Sequence, residues 1–416
     1  MDKFIINGGN RLAGEVKISG AKNAVLPVIA ASILAEGKNR IKNVPDLRDV
    51  RSMCSMLEYL GAKTEFSDSE LVIDTSGVNK FQAPYDLVRK MRASVYVLGP
   101  LTGRYGKAEV SLPGGCAWGP RPIDLHLSGI EKLGAKIDLE GGYIKANTEK
   151  LRGNYIKFKK SSVGATGNVL MAAVLAEGDT VMENTAIEPD ITFLAETLVS
   201  MGAKIDGIGE RVLKITGVSK LEPMNVSVIP DRIEAGTFLT ACALAGGKIT
   251  LRNAEPGHIR SVLDALKKTG VKINTGDGIT IESDGIYDPV DIITDVFPGF
   301  PTDMQAQWIA LMSVAKGNSI IEDTIYHDRF THVAELNRLG ANITVDNNKA
   351  YVKSVKELIG APVMSTDLRA SASLIMAGLR AKGQTVVQRV YHIDRGYESI
   401  EKKLLKLGAD IKRINN

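Results

Sequence analysis

One phrase of four residues recurs six times along the chain: Leu60-Gly-Ala-Lys63, Leu133-Gly-Ala-Lys136, Met201-Gly-Ala-Lys204, Thr269-Gly-Val-Lys272, Leu339-Gly-Ala-Asn342 and Leu407-Gly-Ala-Asp410. The interval is about 70 residues each time, longer than that of short solenoid repeats, so the chain is a duplication of one structural unit. Each phrase ends an amphipathic segment at a glycine and leads into alternating residues such as Lys204-Ile-Asp206, which predicts a helix stop followed by a strand. Upstream in each unit lies a second helical segment of another kind, at residues 24–35, 93–101, 168–176, 237–245, 305–315 and 370–379. These carry almost no charge on any face, and a helix that is apolar all round must be buried on all sides. A short β-rich link separates the two helices. Each unit therefore reads strand, helix, strand, helix and two more strands. Single cores stop growing near roughly 250–300 residues, so three units per domain is the expected division.

The polar residues stand just before the buried helices. Lys22 and Asn23 precede the first, and Arg89, Lys90 and Arg92 open the second. Lys160-Ser-Ser-Val-Gly-Ala-Thr166 leads into the third, Asp231-Arg232 into the fourth, Thr302-Asp303 into the fifth and Asp367-Leu-Arg369 into the sixth. If such helix starts face one cleft, free backbone N–H groups and cations converge there as an anion site. Helix capping alone accounts for Ser, Thr or Asp at any single position. It does not account for Lys22, Arg92 and Lys160, because a cation at the positive end of a helix is disfavoured, and ligand binding is the better explanation.

The second unit differs from the others. From the glycine after the buried helix to the repeated phrase is about 22–24 residues in five units and about 27 in the second, counting from Gly106. The extra residues fall in Pro-Gly-Gly-Cys-Ala-Trp-Gly-Pro-Arg-Pro, residues 113–122, where glycine and proline forbid a regular element and leave Cys116 on a loop. With Arg121 and His126 nearby, such a loop can carry a reactive thiol beside an anion; the alternative is a tight turn with an incidental cysteine. Cys54 and Cys242 sit in apolar helical patterns and read as core. The matching connections of units five and six contain Arg329 and Arg395, expected to approach the same cleft.

Composition excludes several classes. An apolar content of 44%, a charged content of 24% and a net charge of +4 describe an ordinary globular protein without a nucleic-acid track. Three cysteines without paired spacing fit a reducing compartment, and the longest apolar run is too short to span a bilayer, so a cytoplasmic protein that binds neither nucleic acid nor membrane is expected. The five histidines show no metal spacing, there is no phosphate-binding Gly-rich loop, and Gly207-Ile-Gly209 reads as a hairpin turn. What remains is a thiol, carboxylates and cations, suited to acid–base chemistry on a multiply charged substrate.

Seven stretches, taken together, resemble the UDP-N-acetylglucosamine 1-carboxyvinyltransferases, a family of enolpyruvyl transferases, over essentially the full length. They are Gly20-Ala-Lys-Asn-Ala24, Leu112-Pro-Gly-Gly-Cys116 with Arg121-Pro122, Ser162-Val-Gly-Ala-Thr166, Pro230-Asp-Arg-Ile-Glu-Ala-Gly236, Phe300-Pro-Thr-Asp-Met-Gln-Ala306, Asp367-Leu-Arg-Ala-Ser371 and Asp394-Arg-Gly-Tyr397. The resemblance implies an α/β fold, a two-domain inside-out α/β barrel of six repeated units with buried helices and outer sheets. Its domains would be residues 21–229, carrying Cys116, and residues 1–20 plus 230–416, carrying Asp303 and Arg395, with the active site in the cleft between them.

The implied reaction moves the enolpyruvyl group of phosphoenolpyruvate to the 3′-hydroxyl of UDP-N-acetylglucosamine and releases phosphate, the first committed step of peptidoglycan synthesis. No cofactor or metal is implied, and a monomer is expected. By motif, Lys22, Arg121 and Arg395 would hold phosphoenolpyruvate with Arg92 and Arg369 nearby, Cys116 would act at its C3 and Asp303 at the acceptor hydroxyl. Asn23, Arg121, Pro122, Ile123, Asp124, Leu125, Lys160, Ser162, Val163, Gly164 and Ile325 would line the sugar-nucleotide site. Two alternatives stay open: a relative acting on shikimate 3-phosphate, and a non-catalytic sugar-nucleotide sensor.

Overall fold

The computed structural model describes residues 2–112 and 123–415, so Cys116, Arg121 and Pro122 lie outside the described residues. The described residues form two compact units, one of residues 20–112 and 123–229, the other of residues 2–19 and 230–415.

Among the described residues there are six four-stranded sheets, all with one topology. In the third repeat, Tyr155–Lys157 runs parallel to Asp179–Glu183, and Val212–Thr216 then pairs antiparallel with both Asp179–Glu183 and Lys204–Asp206. The parallel pair needs a crossover, which the buried helix supplies, and the antiparallel pair closes through the expected turn, with Gly207 and Gly209 at φ +80° and +85°. Strands such as Lys38–Lys42 and Val212–Thr216 alternate buried and exposed residues, so each sheet keeps one face on the core and one in water.

Three sheets are completed by a strand from the far end of their unit. Asn225–Ser227 pairs parallel with Lys38–Lys42 and serves as first strand of the first repeat. In the other unit, Leu12–Lys17 runs parallel to Gly247–Arg252, while Lys3–Asn7 lies between Gln384–Gln388 and Asp410–Ile414. The sixth repeat has only one strand after its last helix, and Lys3–Asn7 supplies the other. The strand and helix order read for each repeat holds, but one strand of the fourth sheet and one of the sixth come from the amino-terminal segment.

The apolar helices are interior, as their composition requires. They begin earlier than the apolar runs suggest: Lys22–Ala31, Arg92–Val97 continuing as Leu98–Tyr105, Val163–Ala173, Arg232–Ala245, Thr302–Met304 continuing as Gln305–Met312, and Leu368–Arg380. Lys22, Arg92, Arg232 and Arg369 thus stand within first turns and not ahead of them. Ser162, Asp231 and Asp367 do cap, each side chain accepting from one or two backbone N–H groups. Each amphipathic outer helix ends at the repeated glycine, and all six of these are left-handed, from φ +88° at Gly340 to +109° at Gly61. Close packing of the interior helices depends on small residues: a Cβ on Gly99 would lie 2.1 Å from the Asn168 carbonyl oxygen. Cys54 and Cys242 are buried, and burial pushes both thiols up to about 12. Among the described residues no helix is long and apolar enough to cross a membrane.

Candidate active site

In the first unit, Lys22 opens its helix and places Nζ 2.9 Å from Asp49, with side chains only 12% and 3% exposed. Asp49 sits in the first turn of Arg48–Leu60, where a carboxylate is favoured by the positive helix end. Asn23 and Arg92 are half-buried, the latter at the head of the turn Arg92–Val97. Ile123 precedes the helix Asp124–Lys132, in which Asp124 is exposed, Leu125 half-buried and His126 buried. Lys160 is exposed, and Ser162, Val163 and Gly164 form the cap and first turn of the third interior helix.

His126 brings three of these segments together. Gly99 N–H donates to Asn168 Oδ1 at 2.6 Å, which orients the amide so that its Nδ2 donates to the Val95 carbonyl at 2.9 Å and to His126 Nδ1 at 3.1 Å. Nδ1 is therefore the acceptor of a neutral ring. Burial, reinforced by the Arg92 charge, pushes the imidazole down to about 4. The other side of the ring lies under Gly164, where a Cβ would stand 3.0 Å from Cε1 and Nε2. Glycine is needed there for contact.

In the second unit, Asp303 is the centre of a buried ion cluster. Arg369 Nη2 donates to Oδ2 and Arg329 Nη2 to Oδ1, both at 2.8 Å, with the guanidinium side chains 4% and 6% exposed and the carboxylate 25%. Burial alone would raise the carboxyl pKa, but Arg369 and then Arg329 outweigh it and hold Asp303 well below the usual carboxylate range. Arg369 Nη1 also donates to Tyr397 Oη at 3.2 Å, and Tyr397 Oη is bonded to Thr237 Oγ1 at 2.8 Å. Arg329 Nη1 donates to Thr302 Oγ1 at 3.0 Å, and that hydroxyl donates to Asp323 at 2.7 Å. Asp323 in turn accepts from the backbone N–H groups of Ile325 and Tyr326 at 2.9 Å. Arg395 ends the turn Val390–Arg395, and its neighbour Asp394 accepts from Arg413 at 2.8 Å through both oxygens.

The structure thus joins Asp303, Arg329, Arg369 and the Ile325 backbone, and separately Arg92, His126, Gly164 and their helix starts. Sequence reasoning missed Asp49, Asn168, Thr302 as a bonding group, Asp323 and Tyr397. A carboxylate in a first turn, such as Asp49, reads as a cap, and nothing local distinguishes one that pairs with a lysine distant in sequence.

The EPSP synthase (3-phosphoshikimate 1-carboxyvinyltransferase) family model matches residues 6–404 of the chain. The UDP-N-acetylglucosamine 1-carboxyvinyltransferase of Prosthecochloris aestuarii is 55% identical over 419 residues, covering 100% of this chain and 99% of that one. That of Geobacter metallireducens is 54% identical over 416 residues, covering 100% of both. Among solved structures, the enolpyruvyl transferase NikO from Streptomyces tendae superposes with a TM-score of 0.89 at 27% identity, over 100% of this chain and 99% of its own. EPSP synthase from Acinetobacter baumannii gives a TM-score of 0.74 at 17% identity over 100% of both chains, a likeness of fold alone.

Proposed function

The chain belongs to the EPSP synthase family of enolpyruvyl transferases, among its UDP-N-acetylglucosamine 1-carboxyvinyltransferases, and on that premise we propose that it transfers enolpyruvyl from phosphoenolpyruvate to the 3′-hydroxyl of UDP-N-acetylglucosamine, releasing phosphate for peptidoglycan synthesis. The observation that carries this reading is 55% identity over a match that spans the whole chain. A shikimate 3-phosphate acceptor has the description of the family model and a likeness of fold at 17% identity behind it, against relatives 55% identical that act on UDP-N-acetylglucosamine.

The residues suit an addition followed by an elimination. In the addition, the acceptor oxygen bonds to C2 of phosphoenolpyruvate, C3 takes a proton and the hydroxyl loses one. In the elimination, C3 gives up a proton and the bond from C2 to the phosphate oxygen breaks. Cys116 serves as the acid toward C3, and Asp303 accepts the hydroxyl proton. Lys22, Arg121 and Arg395, with Arg92 and Arg369 nearby, hold the anionic donor and offset charge on the departing phosphate. Asn23, Ile123, Asp124, Leu125, Lys160, Ser162, Val163, Gly164 and Ile325 hold the nucleotide sugar.

The Asp303 cluster adds a condition to this scheme. A carboxylate with both oxygens on guanidinium groups is a weak base, so proton acceptance requires an arginine to turn toward the substrate anions. Entry of the donor then both fills the anion site and restores basicity where it is used.

The test is phosphate release from phosphoenolpyruvate with UDP-N-acetylglucosamine and, separately, with shikimate 3-phosphate. Release is expected only with the first, and Cys116→Ser should abolish most of it while nucleotide-sugar binding stays near normal. Release with shikimate 3-phosphate alone, or with neither acceptor, would refute the assignment.

A further inference from the structure

Asp323 ends the strand Ser319–Asp323 and is fully buried, yet the reaction scheme gives it no part. A buried carboxylate is costly unless its lone pairs are used, and here they are. Oδ1 accepts from Thr294 Oγ1 and from the backbone N–H groups of Ile325 and Tyr326, each at 2.9 Å. Oδ2 accepts from Thr302 Oγ1 at 2.7 Å. A threonine has a single O–H, so spending it on Asp323 leaves its oxygen as an acceptor, which Arg329 Nη1 fills at 3.0 Å. The direction of the chain is thereby set: Arg329 donates to Thr302, and Thr302 donates to Asp323. The other arm of the Arg329 fork holds Asp303 at 2.8 Å.

We propose that Asp323 is a positioning residue for the transfer, one buried carboxylate that sets both the backbone meeting the nucleotide sugar at Ile325 and, through Thr302 and Arg329, the place of the Asp303 carboxylate. This rests on the roles given to Ile325 and Asp303 above. It explains why one carboxylate is bonded both to that backbone and to the hydroxyl beside Asp303. An asparagine has the same size but presents an N–H toward Thr302, so the threonine O–H loses its acceptor and the hydroxyl that receives Arg329 is no longer held in place.

The experiment compares phosphate release by the full chain and its Thr302→Val, Thr302→Ser, Thr294→Val and Asp323→Asn variants, with UDP-N-acetylglucosamine varied, alongside melting temperatures. Thr302→Val removes the bond to Asp323 Oδ2 and the bond from Arg329 together and leaves the Oδ1 bonds to the backbone in place, so kcat should fall about 10-fold with KM for the nucleotide sugar within about 2-fold, and Thr302→Ser should restore it. Thr294→Val removes one bond to the same carboxylate and the acceptor of the Thr324 N–H, and leaves the link through Thr302 to Arg329 intact; it should lower the melting temperature at least comparably while kcat stays within about 2-fold. Asp323→Asn should lower kcat and raise KM together. If Thr302→Val and Thr294→Val lose equal activity, or serine fails to rescue, Asp323 is only structural and the proposal fails, whether or not Asp323→Asn folds. A wild-type chain that releases no phosphate with UDP-N-acetylglucosamine overturns the functional reading itself, a separate result.

Discussion

His126 shows how a single buried residue records its surroundings. Its ring accepts a hydrogen bond from Asn168 and is pushed down to about 4, so the folded protein refuses a proton that the unfolded chain takes below about 6.5. Its contribution to stability is fully present above that unfolded value and is lost as pH falls toward the folded one. Wild-type stability should therefore drop between these limits by about 3 kcal/mol more than that of a His126→Gln variant, read from denaturant midpoints at several pH values. Parallel losses in the two proteins would mean that the ring is charged when folded. The charged residues singled out in the sequence were legible by motif or repeat position, as Asp303, Arg329, Arg369 and Arg395 were, or by breaking a local rule. Lys22 and Arg92 stand at the positive ends of helices, where capping disfavours cations, and for that reason were expected to bind a ligand. Asp49, Asp323 and Asn168 obey local rules, and their partners are distant in sequence.

The helices divide into two kinds for reasons that composition displays. Outer helices such as Arg48–Leu60 have one apolar face and a glycine stop, whereas interior ones such as Val163–Ala173 are buried on nearly every side. Their ends were less legible than their existence, because apolar runs mark where burial is complete and the first turns are polar. Between Leu98–Tyr105 and Val163–Ala173 the contact depends on Gly99. Propensity alone favours Gly99→Ala by up to about 1 kcal/mol in a helix. Packing opposes it, since the added Cβ would stand 2.1 Å from a backbone oxygen that cannot move aside cheaply. The steric effect should win, with a net loss of about 1–3 kcal/mol in thermal or denaturant unfolding. A stabilised Gly99→Ala protein would show that the two helices can separate without penalty.

The whole molecule is two units of unequal continuity. Among the described residues, one unit is the single run 20–229 apart from 113–122, whereas the other joins residues 2–19 to 230–415. A 20–229 fragment should fold alone with a cooperative melt by circular dichroism. A 230–416 fragment should not, because Lys3–Asn7 fills the middle of one sheet and Leu12–Lys17 the edge of another; adding residues 1–19 as a peptide should restore it. Cooperative folding of 230–416 by itself would contradict that reading.

The amino-acid sequence by itself determined the six repeats, the two kinds of helix, the glycine stops and the family, because periodicity, turn chemistry and motif spacing are local and act on neighbours along the chain. Only the tertiary structure decided which strand completes each sheet, that His126 lies against Gly164, and that Asp303 is clasped by Arg329 and Arg369 with Asp323 behind them. Those are contacts between segments far apart in the chain, selected by burial and charge pairing once the cores have formed, and no short stretch of sequence carries them.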